Sequence, residues 1–187
     1  MKKINHSINR SNFIFWGRIS SEKGLDRALI IFSKVAYFHK DARFIIIGPD
    51  GGELSNIKNI CANLGITDHV EFYDELNVKK IESFAKKSTF YIQTSIHDEM
   101  ALSVLEAIQL GLIPVVTPVG DITDYCNEDN SVIVYSNYEA VREILIILDG
   151  HHEFKQKSID TFLALKNDVS YKNLFFVDYD IEKGQFH

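Results

Sequence analysis

The sequence runs to 187 residues with 45% hydrophobic and 25% charged side chains, enough apolar material for one well-buried domain and too much for a disordered chain. Ten glycines and three prolines exclude a fibrous repeat. A formal net charge of -6 is spread as alternating signs without a basic face. This argues against duplex nucleic acid or an anionic membrane as the main partner, so any bound phosphate must be met by local cations.

The two cysteines, Cys61 and Cys126, match neither a metal-ligand spacing nor a disulfide framework and read as buried or half-buried thiols. The N-terminal stretch MKKINHSINRSN starts basic but has no apolar run behind it. No later segment reaches about 18 uninterrupted apolar residues. The expectation is a cytoplasmic protein without a transmembrane segment, with peripheral attachment to a membrane through a partner left open.

In chain order, a strand at Asn12–Trp16 leads through a charged loop to a helix at Gly24–His39. A strand at Arg43–Ile47 and a helix at Glu53–Leu64 follow, then a strand at Val70–Tyr73 and a helix at Val78–Lys87. The second half repeats the pattern with strands at Thr89–Gln93, Ile113–Thr117 and Ser131–Val134, and helices at Met100–Leu110, Ile122–Cys126 and Tyr138–Leu148. Six short β-rich runs alternating with amphipathic ones predict a doubly wound α/β fold with a parallel sheet. In such folds ligands bind beyond the carboxyl ends of the strands. Glu153–Leu165 reads as one more helix, and Asn167–His187 as an appended arm whose Tyr171, Phe175, Phe176 and Tyr179 pack back on the body. The predicted division is an N-terminal lead at 1–11, a Rossmann-like ligand-binding domain at 12–165 and a C-terminal arm at 166–187.

Chemistry should then lie in the loops after the strands. Gly17-Arg18-Ile19-Ser20-Ser21-Glu22-Lys23-Gly24 joins a strand end to a helix start. Arg18 offers a bidentate fork and Lys23 a point charge beside free helix amides, which suits a diphosphate. On spacing alone, a solvent-exposed turn with ordinary charges is the competing reading. The second loop, Gly48-Pro49-Asp50-Gly51-Gly52-Glu53, lacks both the dinucleotide fingerprint and the P-loop lysine. It reads as a tight turn with a helix cap, or as a place where backbone approaches a nucleotide closely.

The third loop reads Ser95-Ile96-His97-Asp98-Glu99-Met100-Ala101-Leu102 and continues to Glu106-Ala107. Asp98 stands at the mouth of the loop and Glu106 about two turns into the helix, so both can face one ligand. Asp98 suits sugar hydroxyls and Glu106 ribose hydroxyls. A carboxylate within the apolar run Leu102–Leu110 needs a partner if buried. A helix cap at Asp98 and an exposed Glu106 are the alternative. His97, a lone loop histidine, reads as a surface residue.

The combination GRISSEKG, IIGPDGGE, an acid followed after seven residues by Glu-Ala, and GLIPVVTPVG resembles the donor-binding, C-terminal domain of retaining nucleotide-sugar glycosyltransferases of the two-Rossmann-domain type, glycosyl transferases group 1. The likeness spans Asn12 to Leu148 and implies a single Rossmann-like sheet of about six strands with helices on both faces. It implies that Arg18 and Lys23 hold the donor pyrophosphate and Glu106 the ribose, while Gly17 and Gly48 let backbone approach the donor. Asp98 then lies near the transferred sugar, and the backbone amides of Met100, Ala101 and Leu102, at a helix start, would face the sugar and phosphates. With Arg18 and Lys23 stabilising charge on the departing diphosphate, no metal ion and no cofactor are expected. The donor would be a UDP- or GDP-sugar, with a glycan or lipid-linked acceptor. The acceptor lobe would be supplied as a separate domain, since the Met1 start directly before the first strand suggests a stand-alone piece. A non-catalytic nucleotide-sugar-binding or regulatory module is the alternative. A phosphatase or receiver domain finds no support, because the sequence shows neither a strand-end aspartate cluster nor a P-loop.

Overall fold

The computed structural model describes residues 11–98 and 101–150, together with Gln156, Asp160, Thr161 and Leu163 and the strand positions 179–180 and 185–186. Six parallel strands form one sheet: β1 Phe13–Trp16, β2 Phe44–Ile47, β3 Val70–Tyr73, β4 Phe90–Gln93, β5 Ile113–Val116 and β6 Val132–Ile133. Their order is β3-β2-β1-β4-β5-β6. Between them run the helices α1 Leu25–Phe38, α2 Leu54–Asn63, α3 Val78–Ala85, α4 Leu102–Gln109 and α5 Ile122–Tyr125, with α6 Asn137–Gly150 after β6.

The strands FIFW, FIII, FYIQ and IPVV are buried at every position, as a parallel sheet covered on both faces requires. Side chains alternate across the sheet. Phe13 therefore meets Phe32 of α1, at 5.4 Å between ring centroids, while Trp16 points to the opposite face and reaches Glu106 of α4. The helices accordingly cover both faces, with α6 against α1 and α4 over β4 and β5. The edge strand β3 is less buried, with Glu71 exposed and Phe72 and Tyr73 half-buried.

Local chemistry sets the helix starts. Asn77 Oδ1 accepts the Lys80 amide at the start of α3. At the start of α6, Ser136 Oγ accepts the Glu139 amide at 3.2 Å and donates to the Glu139 carboxylate at 2.8 Å, an N-cap held by its own side-chain pair. Arg27 of α1 donates to Asn137 Oδ1 and to the carbonyls of Val134 and Tyr135, so α1 is tied to the β6–α6 turn.

The six predicted strands and the six helices that follow them all occur, with ends unchanged or trimmed by one or two residues, except that the last helix is longer than predicted, Asn137–Gly150 against Tyr138–Leu148. The helix expected from Met100 starts at Leu102, with Ala101 as its N-cap. The capping role weighed for Asp98 is therefore not found. Of Glu153–Leu165, the described positions Gln156, Asp160, Thr161 and Leu163 are helical; Thr161 Oγ1 accepts from Asn130 at 2.9 Å and Leu163 packs on the core. In the predicted arm, Tyr179–Asp180 (β7) pairs antiparallel with Gln185–Phe186 (β8). The packing foreseen for Tyr171, Phe175 and Phe176 lies outside the described residues. Both thiols are buried as expected, and burial pushes Cys126 up to about 12.

Candidate functional site

The strand order reverses between β1 and β4. In a doubly wound sheet the crevice for ligands opens at that reversal, outside the carboxyl ends of the two strands. The loops that meet there are the ones carrying Arg18 and Lys23 on one side and Asp98 on the other.

The β1 loop is held in place by its backbone. Gly17 donates to the Ile47 carbonyl at 3.0 Å, Ile19 to Pro49 at 3.0 Å, and Gly51 to Ile19 at 2.9 Å. This zips the first loop to the second. A Cβ on Gly48 would lie 2.0 Å from the Gly17 carbonyl oxygen, so the close approach that Gly48 permits is to the neighbouring loop. Arg18 is left exposed, its stem lying where a Cβ on Gly51 would come within 2.8 Å of its Cγ. Among the described residues its guanidinium has no hydrogen bond or ion pair, so it is free to take an anion.

The β1 and β4 loops are joined in turn. Gly24 begins α1 with φ 62, and a Cβ there would lie 1.9 Å from the Thr94 carbonyl oxygen. Thr94 Oγ1 donates to the Gly24 carbonyl at 2.6 Å, and the Ile96 amide donates to Glu22 at 2.9 Å. Across this seam Lys23 Nζ meets Asp98 Oδ2 at 2.7 Å, with the two side chains 21% and 10% exposed.

Asp98 does not rely on Lys23 alone. Its Oδ2 also accepts from Gln93 Nε2 at 2.8 Å and from Ser95 Oγ at 3.4 Å. Gln93 Oε1 accepts from the Tyr91 hydroxyl at 2.7 Å and from Ser103 Oγ at 2.9 Å. Burial holds the Tyr91 hydroxyl firmly protonated, well above its ordinary range. It also lies 3.2 Å from the Trp16 carbonyl. One polar chain thus runs under the crevice from β1 through β4 to Asp98. Buried polar networks that are fully paired hold a geometry rigidly.

Glu106 is the second acid. Its Oε2 accepts the Trp16 indole Nε1–H at 2.8 Å, which supplies the partner that a carboxylate in an apolar run needs. Trp16 and Glu106 line a cleft of about 140 Å³ between α3 and α4, shared with Val78, Ile81 and Gln109.

Several of these groups were not singled out from the sequence: Trp16, Tyr91, Gln93 and Ser103. A buried glutamine ending the apolar strand FYIQ was the available signal, since such an amide must be bonded to something. Met100 lies outside the described residues, Ala101 is buried and Leu102 is half exposed at the start of α4. His97 is exposed. The glycine-rich second loop turns its one acidic side chain back on its own backbone: Asp50 Oδ1 accepts from the Gly52 and Leu54 amides at 2.7 and 3.1 Å. Those two bonds, the Leu54 bond foremost, hold the Asp50 carboxyl below its usual range. Among the described residues no three His, Cys, Asp or Glu side chains gather as a metal would need, and no helix is long and apolar enough to cross a membrane.

An uncharacterized glycosyltransferase of Bacillus subtilis, YqgM, is 27% identical over 156 residues, covering 83% of this chain and 43% of that protein. The phosphatidylinositol N-acetylglucosaminyltransferase GPI3 subunit of Saccharomyces cerevisiae is 24% identical over 160 residues, covering 85% of this chain and 35% of that protein. The chain thus spans less than half the length of these curated relatives. Among solved structures, S. aureus TarM superposes with a TM-score of 0.77 at 12% identity, over 89% of this chain and 34% of that one. The C-terminal domain of a glycosyl transferase group 1 family protein from Francisella tularensis superposes with a TM-score of 0.71 at 14% identity, over 82% of this chain and 84% of that one. The fold is therefore that of glycosyltransferase domains of this Rossmann-like kind. With the family model for glycosyl transferases group 1 matching residues 1–159, the chain that brings Arg18, Lys23, Asp98 and Glu106 to the reversal of its sheet belongs to the glycosyl transferases group 1 family.

Proposed function

We propose that this chain binds the nucleoside-diphosphate-sugar donor and carries the donor half of a sugar-transfer reaction that proceeds with retention. The observation that carries the reading is the convergence of two cations and two carboxylates at the sheet reversal: Arg18 unpaired among the described residues, Lys23 on Asp98 at 2.7 Å, and Glu106 fixed by Trp16 at 2.8 Å.

In this reading the pyrophosphate lies against Arg18 and Lys23. Arg18 holds it as a fork, and Lys23 leaves Asp98 in part to meet it. The charge that develops on the departing diphosphate is then met by groups already in place, without reorganisation at the moment of reaction. Asp98, still held by Gln93 and Ser95, is left to accept sugar hydroxyls. The Glu106 carboxylate, with Oε2 on Trp16, turns its other oxygen to the ribose. The amides of Ala101 and Leu102, at the start of α4, complete the reading as donors to the sugar and phosphates.

The acceptor is a glycan or a lipid-linked group, and a second lobe supplies its site. The yeast relative is named as a subunit of a phosphatidylinositol-modifying transferase, which agrees with a partner and a membrane-bound acceptor. Two reactants held in one closed cleft can gain about 7–11 kcal/mol toward the barrier, and half a cleft forfeits much of it. Titration with UDP, GDP and inorganic pyrophosphate, followed by an assay of nucleoside-diphosphate release with and without an acceptor lobe in trans, tests the reading. Binding of a nucleoside diphosphate with little transfer alone and restored transfer with the lobe is the expected result. No binding of any of the three would overturn it. Binding with no transfer in either setting would favour a non-catalytic module.

A further inference from the structure

Gln109 closes α4 with an unusual feature. Its side chain is wholly buried, and among the described residues neither Nε2 nor Oε1 has a hydrogen-bond partner. A buried amide left unpaired costs free energy, so native proteins rarely keep one without a reason. The residue is not remote from the site. It follows Glu106 by one helical step on the same face, and both line the cleft of about 140 Å³ that Trp16, Val78 and Ile81 complete.

On the α3 side Val78 and Ile81 give the cleft an apolar wall, with the Glu82 carboxylate beside them. A flat ring with polar edges fits such a place: its faces lie on apolar and aromatic groups, and one edge finds the lone amide. Resting on the reading that the nucleoside is held at Glu106, we propose that Gln109 reads the base of the donor. The base is one that sets an N–H beside a C=O on one ring edge, as uracil does. The glutamine amide answers such an edge with its own acceptor and donor side by side. Guanine carries a similar edge, but its fused second ring must also fit between α3 and α4. The small cleft therefore selects uracil. Trp16 contributes twice, orienting Glu106 through its indole N–H and walling the base.

The inference also accounts for the unpaired amide in the absence of donor: a site built to pair with an edge rejects analogues lacking it, because its own polar atoms then stay unpaired.

The test is calorimetric titration of the full chain with UDP, GDP and inorganic pyrophosphate, for the native protein and for Gln109→Met, which keeps the length and removes both polar atoms. UDP should bind the native protein more tightly than GDP does. Gln109→Met should weaken UDP about tenfold or more, leave pyrophosphate unchanged, and unfold at the same or a higher temperature without ligand. Should Gln109→Met fail to fold, Gln109→Leu serves the same comparison. UDP binding unchanged by the substitution overturns the inference alone, as does a parallel loss of UDP and pyrophosphate, which would make Gln109 a support of the fold. Preference for GDP overturns the choice of uracil. A native protein that binds none of the three removes the donor reading itself.

Discussion

Two loops at the same edge of the sheet, after β2 and after β4, carry opposite kinds of information. The β2 loop has the conspicuous sequence, Gly48-Pro49-Asp50-Gly51-Gly52, yet its one carboxylate is bonded within the loop and its glycines let its backbone press against the β1 loop. The β4 loop has no glycine at all between Gln93 and Asp98, yet it gathers Lys23, Gln93 and Ser95 around one carboxylate. Glycine richness here marks where backbones must touch, and the polar loop marks where a ligand would be met.

That contrast can be broken first at Gly48. An added Cβ would stand 2.0 Å from the Gly17 oxygen at a φ of 145. Gly48→Ala should therefore destabilise the fold by about 3 kcal/mol or more, through strain and overpacking together. Denaturant unfolding measures this, and a loss confined to ligand binding would show the loop to be functional after all.

The polar side of the contrast is sharpened by Arg18→Ala and Lys23→Ala. Each should weaken nucleoside-diphosphate binding by about 1.5–3 kcal/mol, as loss of a charge-assisted contact does. Binding of the nucleoside without phosphates should hardly change. Equal losses for both ligands in a titration would contradict the assignment of these cations to phosphate.

A smaller effect is expected from Trp16→Phe, which keeps a ring but removes the Nε1–H bonded to Glu106. A loss of about 1 kcal/mol in ribonucleotide affinity should follow, with less preference over 2′-deoxy analogues, as for Glu106→Gln. The smallest effect concerns acid. The Asp50 carboxyl is depressed by the Leu54 and Gly52 amides, so the folded form holds it ionised below its ordinary 3.8. Its contribution is complete above pH 3.8 and is lost as pH falls through the lower folded value. Unfolding curves of Asp50→Asn should show a shallower acid limb than the native protein.

How much of this was readable beforehand follows from distance along the chain. The strands were legible because FIFW, FIII and IPVV are unbroken apolar runs closed by glycine or proline. Burial of the two thiols and exposure of His97 were legible for similar local reasons. Asp98 and Glu106 could be marked as unusual acids, but not their partners, since Lys23 and Trp16 lie far from them in sequence and meet them only through the β1–β4 pairing. The start of α4 was misplaced toward Met100, because apolar periodicity continues past the residue that caps the helix.

The reversal of the sheet also has a meaning in time. Of the five strand pairings in the six-stranded sheet, β1 with β4 joins the residues farthest apart in sequence, Phe13 with Phe90, and closing so long a loop is the step a folding chain is slowest to reward. The crevice therefore comes into being only once that pairing has formed. A chain still emerging from synthesis has nothing to offer a donor. Any molecule that binds at the crevice draws solely on the completed fold and raises its stability by mass action, so a ligand-induced rise in unfolding temperature would report completed folding rather than partial order.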